Sequence, residues 1–249
     1  QLAMNTLIVG DSFVHDIVKT YADCARKDYK DIQIIGIPGA GNDAIANTVI
    51  EHFQNFDKII INWTSTCRYD IHISEKKLIK NLKKGTTNAV IDNKFWLFSG
   101  GWRGNWAKEL SNFIFKPLYA NNFDIEDSWR RTLQHILMVQ KTLNCHNKKH
   151  LSIFSYDAFV SQSFSDYEKQ YQATRLYNKK RWQKYLGNNN YTSLIDWQHI
   201  WFHKYKHSDT GGILDWCHDN THDDSHHPTE LGHQRFYHSI IKPWLEQDN

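Results

Sequence analysis

The chain lacks most of what would mark it for a special environment. In 249 residues there are only four Pro and four Cys, and the formal net charge is a mild +3. Cys24, Cys67, Cys145 and Cys217 are scattered, with no C-x-x-C pair. That spacing argues against a disulfide scaffold, and the expectation is reduced, buried, inert thiols. No window approaches the roughly 18 uninterrupted apolar residues of a membrane helix. Nor does a basic stretch lead into an apolar one near the start, so no signal peptide is expected, and a cytoplasmic or virion-associated protein is. Gln1-Leu2-Ala3 ahead of Met4 reads as a cloning remnant, with Met4 the natural start. Neither the charge nor its distribution supplies the concentrated basic face of a nucleic-acid binder. The expected partners are therefore neither nucleic acid nor membrane, and the sequence assigns no oligomeric state.

What the chain has in abundance is aromatic: ten Trp, twelve Tyr and thirteen Phe, within 40% hydrophobic residues overall. This is enough for a substantial core, and one domain over residues 4–249 is expected. Short apolar runs that read as buried parallel strands recur at Thr6-Leu7-Ile8-Val9, Ile32-Gln33-Ile34-Ile35, Lys58-Ile59-Ile60-Ile61, Leu151-Ser152-Ile153-Phe154 and Ser193-Leu194-Ile195. Helical patterns fit Val14 to Lys27, Asp43 to Phe53, Glu126 to Asn144, Asp166 to Leu186 and Thr229 to Glu246. In the third, Trp129, Leu133, Ile136, Leu137, Gln140 and Leu143 form one stripe. In the last, Leu231, Phe236, Ile240, Ile241 and Trp244 do the same. Alternating strands and helices predict an α/β fold, a parallel sheet of about five strands covered on both faces. Residues 68–123 break the rhythm with no clean strand, and read as an aromatic-rich insertion or cap.

In open α/β sheets ligands bind beyond the carboxyl ends of the strands. Gly10-Asp11-Ser12 follows the first strand, a turn through Gly36, Gly39 and Gly41 to Asn42 follows the second, and Trp63-Thr64-Ser65-Thr66-Cys67-Arg68 follows the third. Asp223-Asp224-Ser225-His226-His227-Pro228 precedes the last helix. A serine nucleophile needs a base, and the base needs an orienting carboxylate. Asp224-x-x-His227 offers both on one loop, leaving Ser12 to be brought in by the fold. At average composition Gly-Asp-Ser arises by chance in such a chain about 5% of the time and Asp-x-x-His-Pro about 1–2%. Their placement, one directly after the first strand and one directly before the last helix, argues against coincidence.

With these motifs the chain resembles the SGNH/GDSL hydrolase superfamily. Gly10-Asp11-Ser12 matches its first block, the turn around Gly39 and Gly41 its second, and Asp224 to Pro228 its last. A fainter similarity, through the Trp-rich insert and "TLQHILMVQKTL", is to SGNH-like proteins of marine bacteriophages. The resemblance implies a three-layer α/β/α, flavodoxin-like fold and ester hydrolysis through Ser12, His227 and Asp224. It also implies an oxyanion hole from the amides of Ser12 and of Gly39 or Gly41. The family's third block, G-x-N-D, is replaced by Trp63-Thr64-Ser65-Thr66, so the usual oxyanion asparagine is missing from its place. Asn42 could donate instead, as could Thr64, Ser65 or Arg68; equally, Asn42 could be a helix N-cap.

Other registers stay open. His226 with Asp223 could replace His227 with Asp224, although Pro228 favours the latter. His218, His222, His226 and His227 with Asp219, Asp223 and Asp224 could hold a metal, against which the loop composition argues. Thr64, Arg68, Trp102 and Trp106 are the candidate substrate-binding residues, with Arg68 otherwise an ion-pair partner of Asp70. Lys169, Arg175, Lys179, Lys180, Arg181 and Lys184 read as a solvated helix face rather than an RNA site. The expected function is a serine esterase acting on an acyl ester, an O-acetylated carbohydrate by resemblance, with no cofactor and no metal. The alternatives are an acyltransferase with the same triad and a non-catalytic glycan-binding or virion module.

Overall fold

The computed structural model describes residues 5–15, 18–66, 68, 70–73, 89–91, 94–98, 125–157, 159, 171–205, 208–221 and 227–247. In chain order its elements begin β1 (Thr6–Gly10), α1 (Tyr21–Asp28), β2 (Ile32–Gly36), α2 (Asn42–His52) and β3 (Lys58–Trp63). Then come β4 (Asp70–Ile73), β5 (Ala89–Ile91), β6 (Lys94–Phe98), α3 (Ile125–Cys145), β7 (Lys149–Phe154), α4 (Tyr171–Asn188) and α5 (Asn190–Leu194). The last are β8 (His203–Tyr205), β9 (Ser208–Gly211), α6 (Ile213–Thr221), α7 (Glu230–Phe236), a π-helical stretch (Tyr237–Ile241) and α8 (Lys242–Glu246).

The first four apolar runs pair as a parallel sheet in the order β2-β1-β3-β7. Alternation along the strands sorts their side chains between two cores. Leu7 and Val9 of β1 with Ile59, Ile61 and Trp63 of β3 face Ala44, Ile45 and Val49 of α2 and Trp129, Leu133 and Ile136 of α3. Ile8, Ile60 and Ile153 face the opposite way, onto Tyr21, Ala22 and Ala25 of α1, Ile213 and Leu214 of α6, and Phe236 and Ile241 near the end of the chain. Burial on both faces is what near-continuous β-branched runs require, and it gives the predicted three layers of helix, sheet and helix.

Several sequence expectations need correction. The proposed fifth strand, Ser193-Leu194-Ile195, is instead the end of α5 and the residue after it, because Asn189 Oδ1 accepts from Tyr191 N at 2.8 Å and starts a helical turn there. Among the described residues, an isolated parallel bridge between Ser152 and Ile200 holds the fifth position. Helix α1 begins at Tyr21 rather than Val14, since Thr20 and Asp23 form a reciprocal capping box that fixes its start. Residues 68–123, read as strandless, contain the antiparallel sheet β4-β6-β5. Leu231, assigned to the apolar stripe of the last helix, is 50% exposed. Of the cysteines only Cys217 is buried; Cys24 is half-buried, Cys145 is exposed, and all three are free thiols, while Cys67 lies outside the described residues.

The same order of strands places the site. From β1 the chain steps to β2 on one side and then returns to β3 on the other. At such a switch point the two crossovers diverge and leave a crevice beyond the carboxyl ends of β1 and β3. Asp11 and Ser12 leave β1 there, beside Asn62 in the register of Gly10.

Candidate active site

After Gly10 the backbone turns sharply. Val14 N donates to Asp11 O at 3.1 Å, and Phe13 N donates to the Asp11 carboxylate at 3.0 Å. This is an aspartate-stabilised turn, and it spends the amides of Phe13 and Val14. Among the described residues the Ser12 amide has no partner within the chain. The turn lifts Ser12, 8% exposed, to the mouth of the crevice.

His227 meets it there. Ser12 Oγ lies 3.0 Å from His227 Nε2 across 215 residues of sequence. With its proton on Nδ1, the ring accepts the serine hydroxyl. The Phe13 ring packs against the imidazole, their centroids 5.1 Å apart, and fixes its tilt. His227 is held from behind by the start of α7, where Thr229 caps the helix by accepting from Gly232 N at 3.2 Å. The pairing of Ser12 with His227 is therefore the one the sequence pattern anticipates. Asp224, Asp223, His222 and His226 lie outside the described residues, as do Trp102, Arg103 and Trp106.

Beneath Ser12 lies a polar network that sequence reasoning missed. The fully buried Asp11 accepts at Oδ1 from Asn62 Nδ2 (3.0 Å) and from Ser155 Oγ (2.8 Å), and at Oδ2 from Arg68 Nη1 (3.3 Å). Asn62 Nδ2 also donates to Ser155 Oγ at 2.8 Å. Asp11, Asn62 and Ser155 thus tie the carboxyl ends of β1, β3 and β7 together. The available signal was strand parity: Asn62 alternates with Lys58 and Ile60, away from the face that carries Ile59, Ile61 and Trp63. The Arg68 partner expected in Asp70 is in fact Asp11, because Asp70 is committed to α2.

That commitment bears on the oxyanion hole. Gly41 N donates to Asp70 Oδ1 at 2.7 Å, so its amide is spent. Asn42 is neither the N-cap, which is Gly41, nor a free donor. Its Nδ2 donates to Thr64 O (3.3 Å) and Thr132 Oγ1 (3.1 Å), while its Oδ1 accepts from Thr64 N (2.9 Å). Asn42 is a cross-brace between α2, the end of β3 and α3. Thr64 is fully buried by the same brace, which removes it from the substrate-contacting set. Arg68 Nη1 also donates to Ala40 O at 3.1 Å, which holds the guanidinium inward with a 10% exposed side chain. Gly39 is different. It sits at φ 84°, the third residue of a turn closed by Ala40 N donating to Ile37 O at 3.0 Å, with Pro38 before it. Pro then Gly at these positions is the type II pattern, and the positive φ is why glycine stands there. Among the described residues the Gly39 amide has no partner in the chain. Two unspent amides, Ser12 and Gly39, therefore stand past the ends of adjacent strands.

Elsewhere, two basic residues of α4 have acidic partners. Arg181 Nε pairs with Glu126 at 2.7 Å, Lys179 lies 3.5 Å from Asp209, and Trp182 is buried against Trp129 and Phe159 rather than presented outward. Among the described residues no cluster of three or more His, Cys, Asp or Glu could hold a metal ion. No described helix is long and apolar enough to cross a membrane. No protein-family model matches the chain, and no curated protein sequence does.

Proposed function

We propose that the chain is a serine esterase of the SGNH/GDSL kind, and the observation that carries this is the 3.0 Å contact between Ser12 Oγ and His227 Nε2 at the sheet's switch point. Ser12 Oγ attacks the ester carbonyl as its proton passes to His227 Nε2. The carbonyl oxygen becomes an oxyanion that accepts from the amides of Ser12 and Gly39. Collapse breaks the bond to the alcohol, which leaves with the proton held by His227. Water then attacks the acyl-serine with His227 again as base, releasing the carboxylic acid and restoring Ser12. Asp224 is assigned to the Nδ1 side of the imidazole by its place in the sequence motif. The chemistry requires no cofactor. The substrate class is an acyl ester of a carbohydrate, for which the aromatic-rich insert and the family resemblance speak.

One observation favours a second reading. Gly41 N and Asn42 Nδ2 are engaged elsewhere, so the oxyanion has fewer donors than the family pattern supplies, and losing one such donor typically costs about 10²–10³-fold in turnover. A non-catalytic glycan-binding module is the corresponding alternative. Hydrolysis of p-nitrophenyl acetate separates the two. The esterase reading expects turnover that falls by at least about 10⁴-fold in Ser12→Ala and His227→Ala. Activity unchanged in Ser12→Ala sinks it. Absent turnover in wild type, with glycan binding that survives Ser12→Ala, supports the alternative. Acyl transfer to an added sugar in preference to water reassigns the same triad to a transferase.

A further inference from the structure

Helix α2 has no cap of its own. Gly41 occupies the N-cap position and has no side chain to offer, so the first-turn amides need an acceptor from elsewhere. Asp70, the first residue of β4, supplies it from 29 residues away: Oδ1 accepts from Gly41 N at 2.7 Å and Oδ2 from Ala44 N at 3.0 Å. One remote carboxylate thereby does both halves of a capping box, taking the amide of the cap residue and that of the third helical residue. The fit is tight enough to dictate the residue opposite. A Cβ on Gly41 would meet Asp70 Oδ2 at 2.8 Å, so glycine at 41 and aspartate at 70 form one arrangement.

The loop so held is the one that carries Gly39. Arg68, two residues before Asp70, donates to Ala40 O at 3.1 Å and to Asp11 Oδ2 at 3.3 Å. The segment from Arg68 to Asp70 thus grips the glycine turn at two successive residues, the carbonyl of Ala40 and the amide of Gly41. Through Asp11 it also grips the turn that presents Ser12.

We propose that Asp70 is a positioning residue for catalysis, the clamp that fixes the turn from Ile37 to Gly41 so that the Gly39 amide meets the oxyanion formed at Ser12. This rests on the esterase reading. The first strand of the insert is then part of the catalytic architecture rather than a cover laid over it.

The clamp is sensitive to protonation. Burial pushes the Asp70 carboxyl up to about 7, against the opposing pull of the Ala44 and Gly41 amides; Asp43 raises it further and Arg68 lowers it. Those are the charged groups that face it, Asp43 from α2 and Arg68 from the preceding loop, and His135 of α3 lies 3.9 Å from the Asp43 carboxylate. A protonated Asp70 turns one oxygen from acceptor into donor against an amide N–H, so one of the two bonds is weakened.

The test is kcat and KM for p-nitrophenyl acetate between about pH 5 and about pH 9 in wild type, Asp70→Asn and Ser12→Ala. In Asp70→Asn, kcat is expected to fall about 10- to 100-fold with KM within about two-fold, the signature of a misaimed donor. The acid limb of log kcat should also be steeper in wild type, where Asp70 takes up its proton at about pH 7, than in Asp70→Asn. Wild-type kcat and slope in Asp70→Asn, with Ser12→Ala inactive, overturn the positioning role and leave the esterase standing. Full activity in Ser12→Ala overturns both. If Asp70→Asn does not fold, Gly41→Ala, which pushes the carboxylate off its seat, should show the same loss of kcat and slope. Wild-type values there overturn the proposal.

Discussion

Replacing Asp11 by Asn removes one charge from the floor of the site and almost nothing else. The side chains are nearly isosteric, and Asn Oδ1 can keep the bonds from Phe13 N, Asn62 Nδ2 and Ser155 Oγ. What disappears is the negative charge that Arg68 Nη1 meets at Asp11 Oδ2, in a place where the arginine side chain is 10% exposed and the aspartate fully buried. Breaking a buried pair from one side leaves the other charge without that counter-charge and costs about 3–5 kcal/mol. For a chain of this size that corresponds to a fall of roughly 6–20 °C in Tm. Equilibrium urea unfolding followed by Trp fluorescence measures it, with Arg68→Met and the double variant completing a cycle. The double variant should recover part of the loss, with a coupling of about 0.5–3 kcal/mol. Salt adds a control, because a buried pair is screened far less than an exposed one at about 1 M. A loss below about 1 kcal/mol in Asp11→Asn, or one that vanishes in high salt, would mean that the pair behaves as a surface ion pair. The account of Asp11 as the keystone beneath Ser12 would then be wrong.

Two further perturbations test other parts of the fold. His150 is buried in β7, stacked on His199 at 4.3 Å, with neither ring nitrogen hydrogen-bonded among the described residues; burial, then the His199 charge, pushes its pKa down from 6.5 to about 4. The unfolded chain therefore takes up this proton first as pH falls, so stability is full above about 6.5 and declines toward about 4, by up to about 3 kcal/mol. His150→Phe should remove that slope in urea titrations across the window; an unaltered slope would place the effect on another group. Lys58, buried at the start of β3, donates from Nζ to Leu245 O at 2.6 Å and Gln247 O at 3.3 Å, holding the end of α8. Lys58→Met should cost about 1.5–3 kcal/mol and speed carboxypeptidase digestion of the last residues. Digestion at the wild-type rate would show that α8 is held by its packing alone.

The parts of the fold that were legible were those in which one pattern ran long enough to outweigh local alternatives. The runs ending at Val9, Ile35, Ile61 and Phe154 each carry two or three β-branched or aromatic residues in four and all became strands, and the α3 stripe from Trp129 to Leu143 is buried except for the half-buried Leu137. Ser193-Leu194-Ile195 is only three residues, and the Asn189 cap decided it. The strands of the insert were hidden because Val90 and Phe95 pair across a local hairpin whose sheet is separate from the main one, so their signal is not the buried parallel run that marked the others. At the site, Ser12 and His227 were legible as a pair because the nucleophile and base proposed for them are constrained in residue type. The roles of Asp11, Asn62 and Asp70 were not. Each is an acceptor or donor whose partners come from other elements, and a single sequence does not say which backbone amide a carboxylate will meet.

The contact between Ser12 and His227 joins the first turn of the chain to one of its last. The crossovers that set β2, β3 and β7 lie between them in sequence, and β1 gains its second neighbour only when β3 is in place. Loop closure over such a span is the slow kind of contact to form. The hydrogen bond is thus a reporter of folding across this span: a nascent or clipped chain that has not yet docked α7 carries the serine turn but no imidazole beside it. On the esterase reading proposed above, the crevice would gain its base only when α7 docks.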